Sequence, residues 1–369
     1  MKRYFLIAVA ALALVACSKN FDHNKSEGQA IGFGTWSEVM TKRTQAASGD
    51  NVWENNDQFT VSGYKTNNAN KTTIFDNVEV TYSTTTSKWS YTTPRYWDYA
   101  ASNYVFYAVT PSKVPNPAGS GDPVAIATLA PQTGLTTAAS SAITFAGNDS
   151  DILVASEKEV TSYGTDVNLE FNHIASLVDL KVKKDAELNA AQVDITGISI
   201  TNVGNKGTFQ INGYDGSTKK PTVLWSTPSS YTGTYTNASG VNASAITLPT
   251  NIASNSASAL ISNLIVLPQD FNSDANIQKI VISYTITDKN GTPDDSDDDI
   301  VSTYTDKEIA LHLFDKVDDQ QNVAAFVGGF SAGVHYTLTL TINAKLITFT
   351  ASVNDWSTTD ATGYGYIAY

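Results

Sequence analysis

Four stretches of this 369-residue chain carry residue types that could do chemistry. The first is "GFSAG", residues 329–333, which has the G-x-S-x-G spacing of a serine nucleophile. That chemistry needs a strand before the serine and a helix after it, so that the hydroxyl sits on a strained elbow. Here the residues from His335 onward alternate as a strand, so Ser331 is expected in a plain turn. The second is the set of four histidines, His23, His173, His312 and His335, which show no H-x-x-x-H spacing and have no cysteine partners. Zinc sites are built from such spacings, so none is expected. His173, in "FNHIAS", reads as a packed or capping residue rather than a base. The third is the run Asp294–Asp299, with five aspartates in six positions. Calcium takes clustered carboxylate and carbonyl oxygens, but an EF-hand loop also needs a central glycine and a closing glutamate. This run has neither and reads as a solvated hairpin loop. No carboxylate pair, triad or phosphate-cradling loop stands out. The sequence therefore offers no catalytic residue, no metal site and no cofactor, and the protein is not expected to be an enzyme.

The fourth stretch concerns chemistry done to the chain. Lys2 and Arg3 precede an apolar run, Phe5 to Val15, of 11 residues. A membrane-spanning helix takes about 20. The run fits the core of a signal peptide, and "LVAC" follows it, with small residues before Cys17. This is the layout of a bacterial lipoprotein: residues 1–16 are removed and Cys17 is acylated. Each buried methylene of a lipid chain contributes about 0.8 kcal/mol, so several chains on one residue give stable anchoring. Cys17 is the only cysteine, so the mature chain has no disulfide. The net charge of −13 argues against a nucleic-acid partner, which requires a basic footprint. The chain has three arginines, Arg3, Arg43 and Arg95. Arg43 is set in "EVMTKRTQAASGD", a small, polar stretch that reads as a linker.

The elements around these stretches are almost all strands. Charged residues make up only 16%, against about 25% in ordinary soluble proteins. Threonine and aromatics favour strands, and the abundant Gly, Asn and Ser favour turns. "IGFGTW" (31–36) puts Ile31 and Phe33 on one face, with glycines between them that leave the strand weakly packed. "NVEVTYSTTTSKWSYTT" (77–93) reads as a hairpin, and "NYVFYAV" (103–109) as a strand buried on both faces. Residues 110–141 and 214–245 read as loops. "SLVDLKVKK" and "KIVISYTITD" alternate as half-exposed strands. "DIVSTYT" (299–305) should pair back on the latter, and residues 335–353 should form a long hairpin. Only "NVAAFVGGF" (322–330) hints at helix. Short strands at about ten-residue spacing predict an all-β fold, read as two β-sandwich domains in tandem with a boundary near 165.

Taken in order, "PRYWDYAASNYVFYAV" (94–109), "SDILVAS" (150–156), "NLEFNHIASLVDLKV" (168–182), "LIVLPQ" (264–269), "GVHYTLTLTI" (333–342) and "ASVNDW" (351–356) resemble the fimbrillin-like proteins of Bacteroidales, the subunits of type V pili. The resemblance implies two transthyretin-like β-sandwich domains, here 44–165 and 166–369, behind a lipidated tether and removable first strand at 17–43. It also implies a route. The lipoprotein reaches the cell outer membrane, and an Arg- or Lys-specific surface protease cuts between Arg43 and Thr44. The first strand "IGFGTW" is lost, and a strand from the C-terminal end of another subunit fills the groove. The candidate donor is residues 357–369, in which Tyr364, Tyr366 and Ala368 face one way and Ile367 and Tyr369 the other. The implied function is a structural pilin, a shaft subunit of a fimbrium that supports cell adhesion. Its partners are other pilin subunits, the protease and, before processing, the membrane. The alternative is a surface glycan-binding lipoprotein of a polysaccharide-uptake system, in which Trp53, Trp97 and Trp225 would stack on sugar faces, although a tryptophan in a sandwich is more often core.

Overall fold

The computed structural model describes residues 28–35, 53, 55–114, 122–136, 143–144, 151–226, 233–236, 249–271, 278–289, 299–311, 315–317, 323–325, 329–344 and 347–355. Strands of three or more residues are numbered in chain order. The first part of the chain supplies β1 (Phe33–Thr35), β2 (Gln58–Asn67), β3 (Asn70–Ser83), β4 (Lys88–Ser90), β5 (Asn103–Thr110), β6 (Leu153–Ala155), β7 (Lys158–Val160), β8 (Val167–Leu169) and β9 (Phe171–His173). Seven of these form one sheet in the order β9-β6-β5-β2-β3-β4, with β7 also on β5. The other two, β1 and β8, pair with each other in parallel.

The sheet is buried on both faces because β5 has apolar residues at every position from Tyr104 to Val109. Tyr104, Phe106 and Ala108 point into one core, with Phe59, Phe75, Leu153 and Phe171 of the same sheet and Ile31, Phe33, Val167 and Leu169 of the covering pair. Val105, Tyr107 and Val109 point into a second core. Its cover comes partly from Ile126, Ala127 and Leu129, inside a stretch that reads as loop, and partly from a hairpin much later in the chain. That hairpin is β12 (Phe209–Tyr214) and β13 (Pro221–Trp225). Residues 214–245 thus hold two strands, β13 and β14 (Gly233–Thr236), where sequence alone suggested only loop. The signal is weak because β13 alternates between half-buried and exposed positions and opens on a proline.

The third core is a sandwich of two further sheets. The larger runs β15 (Ser258–Val266), β10 (Ser176–Lys184), β20 (Val334–Ile342), β21 (Ile347–Asp355), β18 (Asp315–Val317) and β19 (Val323–Ala325). The smaller runs β14, β11 (Ala191–Val203), β16 (Lys279–Asp288) and β17 (Ile300–Ala310). The expected pairing of 279–288 with the strand after the acidic loop is present, as is the long hairpin ending at Asp355. The helix hinted at over 322–330 is instead strand at Val323–Ala325. Val178, Leu180 and Val182 face Ile280, Ile282 and Tyr284 across the layers in one apolar cluster.

One residue sets the register of β11. Val193 and Ile195 are buried, and so are Ile198 and Ile200. Strict alternation cannot put both pairs on one face. The ladder shifts between Ile195 and Gly197, opposite Tyr284 and Ser283, so that Thr196 is the extra residue of a bulge. Deleting Thr196 should turn one of these pairs toward solvent. Fully burying one aliphatic side chain is worth roughly 1.5–3 kcal/mol, so the deletion should cost about 3 kcal/mol or more, read as a lower urea midpoint.

Candidate functional site

The segment 29–35 lies in a slot between two parts of the chain. On one side Ile31 N–H donates to the Arg95 carbonyl at 2.7 Å, and Trp97 N–H donates to the Gln29 carbonyl at 3.1 Å. On the other side Val167 N–H donates to the Gly32 carbonyl at 2.8 Å, and Phe33, Gly34 and Thr35 lie opposite Val167, Asn168 and Leu169. The Tyr91 hydroxyl donates to the Ile31 carbonyl at 2.7 Å and accepts from Arg95 N–H at 3.2 Å. Burial raises the Tyr91 pKa, which keeps this donor protonated.

The inward side chains fill an aromatic seat. Phe33, 4% exposed, meets Phe59, Phe75, Tyr91 and Phe106 at ring-centroid distances of 5.7, 5.4, 5.9 and 5.9 Å. All four contacts are edge-on, and such pairs are worth about 0.5–1.5 kcal/mol each beyond the area they bury. Ile31 is buried beside them. The glycines that promised a weak strand have a different effect. A Cβ on Gly32 would stand 2.0 Å from Asp166 Oδ1, and one on Gly34 would stand 2.4 Å from Asn168 Oδ1. The space the glycines vacate is filled by those two side chains of the neighbouring strand.

The wall that carries Arg95 and Trp97 is tied down by Asp98. Lys65 Nζ is 2.7 Å from Asp98 Oδ2, Asn67 Nδ2 donates to the same oxygen at 3.1 Å, and Ala100 N–H donates to Oδ1 at 3.0 Å. Lys65 above all, then the other two donors, hold the carboxyl at about 2. Arg95 is itself held, with Nε donating to the Ile74 carbonyl at 3.1 Å.

Residues 44–356 match the family model described as "Fimbrillin-like". This chain belongs to the fimbrillin-like family. The fimbrillin-like fold is shared with a fimbrial protein of Bacteroides vulgatus, at TM-score 0.59 and 18% identity over 89% of this chain and 99% of that one. A protein of Bacteroides uniformis, provisionally designated a cell adhesion protein, is similar at TM-score 0.44 and 18% identity over 84% and 95% of the two chains. No curated protein matches this fimbrillin-like chain.

The sequence-derived sites fall into two groups. Cys17, Arg43, Thr44, Tyr364, Tyr366, Ile367, Ala368 and Tyr369 lie outside the described residues, as do Asp294 to Asp298. Asp299 is described, and its Oδ2 pairs with Lys289 Nζ at 2.8 Å. Ser331 lies in the turn before β20, with its N–H donating to the Tyr336 hydroxyl at 2.9 Å. No helix follows it. His173 is a packed residue, buried with Nδ1 hydrogen-bonded to the Asp151 carboxylate. Burial removes Trp97 from the three tryptophans named for glycan stacking. Trp97 is 3% exposed and stacked on Tyr163. Trp225 is half-buried against Phe209, with its indole N–H donating to the Ile174 carbonyl at 2.6 Å. Trp53 is half-buried and packs edge-on against Trp89. Sequence reasoning missed Asp166, Asn168 and Tyr91. Each acts through a partner distant in the chain, Tyr91 on Ile31 and Phe33, and Asp166 and Asn168 beside Gly32 and Gly34, so no local spacing pointed to them.

Because its folded-state value is depressed, Asp98 stabilises the wall fully above about pH 4, where the unfolded carboxyl is ionised. That contribution is lost as pH falls toward about 2. Asp98→Asn should therefore be less stable than the parent at pH 7, and the gap in unfolding midpoint should close between pH 4 and 2. A gap independent of pH would assign the loss to packing instead.

Proposed function

We propose that this protein is the shaft subunit of a fimbrium, built by strand exchange between copies and supporting cell adhesion. Acylation at Cys17 would hold the exported chain at the outer membrane. An Arg- or Lys-specific surface protease would then cut between Arg43 and Thr44, releasing residues 17–43 together with β1. The donor would be residues 357–369 of a second copy, with Tyr364, Tyr366 and Ala368 on one face and Ile367 and Tyr369 on the other. In this reading 44–165 is the acceptor unit and 166–369 the donor unit, although β9 is a strand of the acceptor's sheet and β8 and the hairpin β12–β13 lend part of its cover.

The carrying observation is the seat of β1. Its inward side chains complete a core, and its backbone bonds are shared between two walls. Withdrawing it leaves unpaired backbone groups beside an apolar trough, which is the surface that strand addition satisfies. The segment precedes Arg43 in the chain, so a single cut on its C-terminal side separates it from the body. The family match itself begins at Thr44 and ends at Trp356, before the donor.

Limited digestion of the unlipidated protein with an Arg-specific protease tests this. The expected cut is after Arg43, sparing Arg95, whose guanidinium and carbonyl are both engaged. N-terminal sequencing should read from Thr44, and sizing should show a ladder of oligomers. A clean cut that leaves a stable monomer would overturn the proposal.

A further inference from the structure

The slot does more than accept an extended chain: its two faces ask for different side chains at alternate positions. The inward position of residue 33 is lined by four rings. The outward positions of residues 32 and 34 are occupied by Asp166 and Asn168 oxygens, so a side chain at either must push its neighbour aside. The pattern the slot holds is glycine–aromatic–glycine. In the 369 residues that pattern occurs twice: as Gly32–Phe33–Gly34 in β1 and as Gly363–Tyr364–Gly365 near the C-terminus.

We propose that the tail of a second copy enters with Gly363, Tyr364 and Gly365 in the places of Gly32, Phe33 and Gly34. This deepens the strand-exchange reading and rests on it. Tyr364 then fills the ring seat, Thr362 takes the inward place of Ile31, and Tyr366 falls at the register position of Thr35, opposite Leu169. Sliding the tail by two residues would also put a ring in the seat, that of Tyr366. It would place Ile367 outward beneath Asn168, where a branched side chain collides with the amide. The frame is thus chosen by the outward face. The tail has the reach to find another molecule. The last described strand ends at Asp355, and the 14 residues beyond it can extend about 45 Å.

Asp166, Asn168 and their glycine partners give a direct readout of the frame. Asn168 and Asp166 are exposed, and the only native cysteine, Cys17, precedes the Arg43 cut and is absent from the processed chain. Two double variants are compared after processing at Arg43: Asn168→Cys with Gly365→Cys, and Asp166→Cys with Gly365→Cys. In the proposed frame residue 365 sits opposite residue 168, where a disulfide is geometrically allowed, and two places from 166. The first pair should give a covalent ladder on a non-reducing gel at roughly tenfold the yield of the second. Tyr364→Ala should abolish the non-covalent ladder, and Tyr364→Phe and Tyr366→Ala should retain it. Oligomers that cross-link through residue 166 instead would overturn the frame but leave strand exchange standing. A 168–365 bond inside a monomer would name the chain's own tail as occupant and overturn the second copy. Processed protein that stays monomeric and uncross-linked would defeat the strand-exchange reading itself.

Discussion

The constraint on which this molecule depends is that one sheet is apolar on both faces. The run from Tyr104 to Val109 leaves β5 no face that water can wet. A sheet of that kind needs a cover on each side, and the chain supplies the two differently. The cover over Val105, Tyr107 and Val109 is a hairpin at 209–225 and a stretch at 126–129, both joined to the body at both ends. The cover over Tyr104 and Phe106 includes β1, which the chain joins to β2 through the residues that contain Arg43. The first cover can leave only by unfolding. In the proposed processing the second would leave once the Arg43–Thr44 bond is cut. The same asymmetry orders folding: the seat of β1 is made in part by Val167 and Leu169, so the first strand of the chain waits for residues synthesised far later.

Much of the fold was legible because its strands obey simple periods. Burial of β5 on both faces follows from an unbroken apolar run, and the pairing of β16 with β17 and of β20 with β21 follows from alternation interrupted by turns. Elements whose partners are remote left weaker traces. The three residues of β1 pair in parallel with β8, and nothing local records the partner. Strand β13 was hidden because a hairpin that serves as a lid needs only half-buried side chains. The stretch at 322–330 carried the alanines of a short helix, yet Val323–Ala325 is paired at the edge of a sheet, where tertiary context outweighs propensity. The site divides in the same way. Ile31 and Phe33 were recognisable as one face, whereas the role of the intervening glycines depended on Asp166 and Asn168, which no spacing reveals.

The bulge in β11 and the glycines of β1 show one strategy at two scales. In β11 an extra residue keeps four aliphatic side chains on one face of a long strand. In β1 the absence of side chains lets a neighbouring strand's polar groups close over the outer face. In each case a local departure from a regular strand serves a packing demand made by other elements.

The position of β21 has a mechanical consequence. It is an interior strand, antiparallel to β20 from Val334–Asp355 through to Ile342–Ile347 and parallel to β18 at Lys316. The strand ends at Asp355. A pull along the strand's own axis would load the hydrogen bonds of that ladder together, in shear. A strand peeled from an edge would instead release them one after another. Tension applied to that end is thus met by the whole length of the hairpin, so the body should resist being drawn out by its own tail.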